Sequence, residues 1–203
     1  MSRPLVVGLI AEDDSDCLFP EQLIIRQVDA LLMAAGGDLP ALVRRVVRSP
    51  VPITAATGRV QAEAAEAAVR CHVFFVHSDW NERDKARSLA EHVRQKTGST
   101  GKAAVVLVPR KETEAWMIAD ASAFRRISGA ELSHLPAGPK QAEKVADPKK
   151  TLKAVMAKVR HNSPEDYFDV LARDVDLAKL AQLPAYDTWV STTRLALKEL
   201  HFL

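Results

Sequence analysis

Cysteine is nearly missing from this chain. Cys17 and Cys71 are the two it has, and they form no spaced pattern. A disulfide framework and a cysteine-based metal site are excluded as organising features, and a reducing, cytoplasmic setting is expected. Long apolar runs are missing too. None approaches the ~20 residues of a membrane span, and no basic start leads into an apolar stretch, so neither a membrane anchor nor a signal peptide is expected. There is no GxGxxG and no GxxxxGK(S/T), which argues against nucleotide binding of those types. No GxSxG elbow occurs either. Internal repeats, low-complexity tracts and long linkers are likewise absent. The net charge is only +2, too small to argue for nucleic-acid binding by itself.

What is present is a chain of 203 residues, 47% of them hydrophobic. That suits one folded domain with a sizeable core, or one domain with a small appendage. Charge is unevenly spread. Acids crowd the first loop, whereas Arg44, Arg45 and Arg48, then Arg83, Lys85 and Arg87, then the stretch from Lys140 to Lys153 are locally basic.

The most informative stretch is Leu5 to Asp16, LVVGLIAEDDSD, where an apolar run ends in Glu12, Asp13, Asp14 and Asp16. Such a run suits a strand buried on both faces. Residues just past its end lie at the carboxyl edge of the sheet, where open α/β sheets place their sites. The same acids equally suit a solvated loop in which Asp14, Ser15 or Asp16 caps the next helix.

A helix is expected over Leu18 to Ala35, with Leu23, Ile24, Val28, Leu31 and Leu32 on one stripe. Gly36 and Gly37 end it. Leu39 to Arg48 reads either as a short helix or as a strand running on toward Ile53, with Pro50 and Pro52 against a long central strand. Arg59 to Arg70 is alanine-rich and helical. His72 to Asp79, HVFFVHSD, is a second buried strand, and Glu82 to Gln95 is an amphipathic helix with Ala86, Leu89, Ala90 and Val93 inward. Ala103 to Val108 is a third strand, stopped by Pro109. A helix from Glu112 to Ile127 follows, with Trp116, Ala119 and Phe124 apolar.

Alternating strands and helices imply a parallel sheet with crossover helices. Beyond Gly129 the pattern is helical only. Leu152, Val155, Met156 and Val159 make one helix. Ser163 with Pro164 starts another, which carries Phe168, Leu171, Val175 and Leu180. A last helix runs from about Asp187, with Trp189 and Leu195 apolar.

Carboxylates thus recur after three strands: Glu12 to Asp16, then Asp79 with His77 beside it, then Glu112 and Glu114. If those strands are neighbours, the three groups converge on one edge. Mg²⁺ takes carboxylate oxygens and water, usually with one or two protein carboxylates. Each residue also has a structural use. His77 suits a hydrogen-bonded strand end, Glu112 and Glu114 suit the start of a helix, and Trp116 suits the core. Asp147 before Pro148 suits a turn, and Lys149, Lys150 and Lys153 suit a solvated helix face.

Four motifs resemble the bacterial family known as domain of unknown function 4276, whose fold is Toprim-like. That fold is shared by topoisomerases, primases and overcoming-lysogenization-defect nucleases. The family's strand followed by Glu-Gly-x-Thr/Ser-Glu stands here as Glu12-Asp13-Asp14-Ser15-Asp16, with Asp13 in place of the glycine. Its Asp-x-Asp stands as His77-Ser78-Asp79, so a histidine replaces the first acid. Its Pro-x-x-Glu-x-Glu-x-Trp-x-x-x-Asp runs from Pro109 through Glu112, Glu114 and Trp116 to Asp120. Its Asp-Pro-Lys is Asp147-Pro148-Lys149, followed by Leu152. The closing stretch LARDVDLAKLAQLPAYDTW also matches, so the resemblance spans nearly the whole chain.

The resemblance implies a Toprim-like (Rossmann-like) α/β core over residues 1–128. This is a mostly parallel sheet of about four strands with helices on both faces. A helical C-terminal extension over 129–203 packs on it. It also implies a metal-dependent phosphodiesterase or nuclease acting on DNA or RNA, in an anti-phage or mobile-element setting, with Mg²⁺ or Mn²⁺. Glu12, Asp79 and Glu114 would be catalytic, with Glu12 as general acid or base. Glu12, Asp16, His77, Asp79 and Glu112 would surround the metal. An imidazole at position 77 suits Mn²⁺ or Zn²⁺ better than Mg²⁺. Lys149, Lys150 and Arg83 would meet nucleic acid. The alternatives are a non-catalytic nucleic-acid-binding subunit, and a subunit that docks a partner such as an ATPase. An exposed apolar patch around Tyr186 and Trp189 would favour the docking role.

Overall fold

The computed structural model describes residues 4–13, 17–36, 43–98, 102–160 and 163–203; of 43–45 it describes the backbone. Four strands form one sheet: β1 (Leu5–Ile10), β2 (Val43–Arg48), β3 (Val73–His77) and β4 (Ala103–Leu107). All pairings are parallel and the order is β2-β1-β3-β4. The ambiguous segment before Pro50 is therefore a strand. It lies at the sheet edge and stops at Arg48, as the two prolines beyond it require.

Strand alternation sorts the side chains onto two faces. Leu5, Val7, Leu9, Val73, Phe75, Val105 and Leu107 enter one core. Ile10, Phe74, Val76 and Ala104 enter the other. The first face is covered by α1 (Leu18–Ala34) and by helices after residue 129; the second by α2 (Thr57–Val69) and α3 (Arg83–Thr97). The apolar stripe expected on α1 is buried, and Gly36 ends that helix at φ +68°. Gly8, inside β1, lets Phe74 approach. A Cβ there would stand 2.5 Å from Phe74 Cδ2 and 2.7 Å from Cys71 Sγ. None of the helices is long and apolar enough to cross a membrane, among the described residues.

The chain starts at β1, moves outward to β2, then crosses back past β1 to β3 and β4. Helices α1 and α2 leave on opposite faces. Strand order reverses between β1 and β3, and the carboxyl ends of strands at such a reversal are where open α/β sheets place their sites.

The expected helix from Glu112 to Ile127 is broken. Helix α4 spans only Glu114–Met117, and a 3₁₀ turn follows over Ala121–Phe124. Asp120 interrupts it with extended φ −131° and ψ 105°. Its carboxylate accepts from Ser122 N–H (2.8 Å), Ser122 O–H (2.6 Å), Asp176 N–H (2.9 Å) and Lys179 Nζ (2.5 Å). Side-chain bonds of this kind compete with helical backbone bonds.

The remaining helices are α5 (Pro139–Ala142), α6 (Pro148–Val155), α7 (Phe168–Asp174), α8 (Leu177–Leu180) and α9 (Pro184–Glu199). The expected continuous helix through Val175 is likewise split. Asp176 is held by Asp120 and caps Ala178 N–H at 2.9 Å. Tyr186 and Trp189 of α9 are buried, not exposed. They pack with Trp116 in an edge-to-face cluster, ring centroids 5.1 and 5.2 Å apart along Trp116–Tyr186–Trp189. Tyr186 donates to Gln27 Oε1 at 2.6 Å, and Arg26 donates to the carbonyls of Ala172 and Val175 at 2.5 and 2.8 Å. Leu195, by contrast, is exposed.

Candidate functional site

The ends of β1, β3 and β4 carry the predicted acids to one edge. Glu12 follows β1 by two residues and Asp79 follows β3 by two. The backbone N–H of Asp79 donates to Glu12 Oε2 at 3.0 Å, which ties the loops after the neighbouring strands β1 and β3 together. The loop after β2 supports Glu12 from the other side. Thr54 O–H donates to the Glu12 carbonyl at 3.0 Å, and Ile53 N–H to the Ala11 carbonyl at 2.8 Å.

Thr113, between the two motif glutamates, ties the loop after β4 to this pair. Its N–H donates to Asp79 Oδ1 at 3.0 Å, and its hydroxyl lies 3.4 Å from the same oxygen. That hydroxyl is also 2.7 Å from His77 Nε2. If the hydroxyl proton points to Asp79, the imidazole carries its proton on Nε2 and donates to Thr113. The order His77, Thr113, Asp79, Glu12 is then one polar chain across the edge. Sequence reasoning missed Thr113, because a threonine flanked by acids carries no signal until the strand ends are placed.

His77 has no exposed surface. Burial lowers its pKa from 6.5 to about 3, opposed by the charge of Asp13, so the ring is neutral near pH 7. Among the described residues, His77 Nδ1 and the adjacent Ser78 Oγ are buried polar atoms with no hydrogen-bond partner.

Glu112 and Glu114 meet a different partner. Glu112 Oε2 accepts the Lys149 N–H at 3.2 Å, and Lys149 Nζ lies 3.7 Å from Glu114 Oε1. Asp147 caps α6 through Lys150 N–H at 2.7 Å. The third and fourth motifs therefore clasp each other. Burial pushes the Glu114 carboxyl above its usual range; its own backbone N–H and Lys149 pull it back, and Glu112 adds to the rise. Lys149, Lys150 and Lys153 border a shallow depression of about 560 Å³ beside Glu112. Arg83 lies over the Trp80 ring at 4.6 Å, just past Asp79.

Asp16 lies outside the described residues. Among the described residues, no three His, Cys, Asp or Glu side chains come together as a metal-ligand group. The contact that links two of the predicted acids runs from the Asp79 backbone N–H to the Glu12 carboxylate. Carboxylate oxygens completed by water are the donors Mg²⁺ and Mn²⁺ take, and Glu12 and Asp79 are of that chemical type. His77 directs Nε2 to Thr113 instead. Trp116 is core, and its Nε1 donates to the buried Glu143 at 3.2 Å. Comparison with protein-family models, curated proteins and solved structures finds no match.

Proposed function

We propose that this chain is a Toprim-like, metal-dependent phosphodiesterase acting on DNA or RNA. The observation that carries this reading is the 3.0 Å contact from Asp79 N–H to Glu12 Oε2 at the strand-order reversal. Glu12 and Asp79 are the residues that would hold Mg²⁺ or Mn²⁺. Such an ion, when bound, neutralises charge on the attacking and leaving oxygens of a phosphodiester. Asp79 N–H fixes the Glu12 carboxylate for its role as general acid or base. Thr113 fixes Asp79. Glu114, buried and held by Lys149, orients the loop after β4 rather than touching the reacting atoms. Lys149, Lys150 and Arg83 would position a nucleic-acid backbone through its phosphates. Buried thiols at Cys17 and Cys71 accord with a cytoplasmic setting, and an anti-phage or mobile-element role remains part of this reading.

Calorimetry with Mn²⁺ and Mg²⁺ on the parent and on Asp79→Ala tests it, followed by cleavage assays on single- and double-stranded probes. Binding and cleavage that Asp79→Ala and Glu12→Ala both abolish, without unfolding, would support it. Unaltered activity in either variant would sink the assigned roles.

A second reading is favoured by His77. The residue in place of the first acid is buried and committed to Thr113, and among the described residues no three acidic, histidine or cysteine side chains gather as a ligand group. A subunit that binds nucleic acid, or an ATPase partner, without cleaving would fit that arrangement. Retained probe binding with no cleavage in either metal would select it.

A further inference from the structure

Among the described residues the sheet ends on β4, which pairs with β3 on one side only. In a parallel ladder, alternate residues turn both backbone groups to the same neighbour. Ala103 N–H donates to the His72 carbonyl at 2.9 Å, and the Leu107 carbonyl accepts from Ser78 N–H at 3.3 Å. Ala103, Val105 and Leu107 therefore face β3, while Ala104, Val106 and Val108 turn their backbone groups outward. Arg94 marks that direction. Its Nε and Nη2 reach the Ala104 carbonyl at 3.2 and 2.8 Å from outside the sheet.

Beyond this cap, Val106 and Val108 floor a groove of about 360 Å³. Arg87 and Arg94 of α3 form one wall; Ala185, Thr188 and Thr192 of α9 form the other; exposed Trp80 stands at its end. The spacings within each wall put its residues on one helix face. Because α3 and α9 cover opposite faces of the sheet, a strand added beside β4 would point alternate side chains at the two walls.

An exposed strand edge is a template for another strand, and strand addition is a general mode of peptide recognition. The α3 wall is cationic, and Arg83 over Trp80 extends it. Asp84 and Glu91 pair with Arg87 and Arg94 at 3.6 and 3.2 Å as exposed i,i+3 contacts, which hold little energy and exchange readily. The α9 wall is small and uncharged. A second copy of this chain would set the same arginines against each other.

We propose that the β4 edge takes an acidic, extended segment of a partner protein as a fifth strand. Its acidic side chains face Arg87 and Arg94, and its small or β-branched ones face Thr188 and Thr192. Single-stranded nucleic acid would also use the arginines and Trp80, but not the outward amides of Val106 and Val108.

The test titrates the full chain with a short peptide alternating glutamate and valine, with its lysine-for-glutamate counterpart, and with an oligothymidylate. Tryptophan fluorescence and calorimetry are the readouts. The expected result is saturable binding of the glutamate peptide but not of the lysine peptide, undisplaced by oligothymidylate and weakened at least about tenfold by Arg87→Glu and by Val106→Pro. Proline removes the outward N–H at a position where an edge strand tolerates it, and exposed Arg87 provides a variant that leaves the fold intact. Four results would overturn the proposal. These are no saturable binding of the glutamate peptide, equal binding of the lysine peptide, affinity unchanged in either variant, or oligothymidylate bound in the peptide's place. A parent dimer that Val106→Pro dissolves would also overturn it, by giving the edge to a second copy.

Discussion

His77 Nε2 lies 2.7 Å from Thr113 Oγ1, and the imidazole is sealed from solvent. Its folded pKa of about 3 stands below the ordinary 6.5. Between those values the unfolded chain holds the proton and the folded chain does not, so stability rises with pH across that window. The contribution of the neutral ring is complete above 6.5 and is lost as pH falls toward 3, at up to about 1.4 kcal/mol per pH unit. Urea midpoints measured from pH 7 to pH 4 are expected to fall more steeply in the parent than in His77→Gln. Equal slopes would show that the ring is not held neutral.

Thr113→Val removes the hydroxyl that serves His77 while keeping the N–H that serves Asp79. A buried ring nitrogen then loses its partner, at a cost of about 1–3 kcal/mol. Thr113→Ser is expected to restore stability. If the Glu12–Asp79 pair holds Mn²⁺, the valine variant also weakens that affinity, and calorimetry beside urea unfolding separates the two effects.

Lys149→Met strips the ammonium from a carboxyl that burial already pushes upward. Above its ordinary pKa of 4.5, Glu114 then holds its proton more firmly folded than unfolded. Stability of the variant falls as pH rises, with a loss on the order of 1 kcal/mol at neutral pH. Thermal midpoints at pH 5 and pH 7 should diverge more in Lys149→Met than in the parent. Adding Glu114→Gln should close the gap; a gap that persists would assign the effect elsewhere.

Gly8→Ala is expected to destabilise the protein by about 1–3 kcal/mol, since the new methyl overlaps Phe74 and Cys71 in a packed layer. A lower urea midpoint with an unchanged m-value is the signature. Phe74→Leu in the same background should recover part of the loss, and no recovery would argue against the overlap as its cause.

The strands around Val7, Phe75 and Val105 were legible because each is an uninterrupted apolar run, and their parallel pairing followed from the helices between them. The meeting of Glu12 with Asp79 was implied by position alone, since both follow strand ends by two residues. The strand order that makes β1 and β3 neighbours was not, because periodicity says nothing about which strands adjoin. Helical periodicity over Glu112 to Ile127 hid the break at Asp120, whose four bonds come partly from Asp176 and Lys179, far along the chain. The burial of Tyr186 and Trp189 was equally out of reach, because it depends on Trp116 and Gln27 from other elements.

Arg26 closes the end of α7 across 146 residues of sequence. This contact forms only after the chain through Ala172 has left the ribosome. All four strands emerge before α7 and α9, so the apolar stripe of α1 and the face bearing Leu9 and Phe75 wait uncovered during synthesis. The interval before α7 arrives is when the nascent chain most needs a holding chaperone.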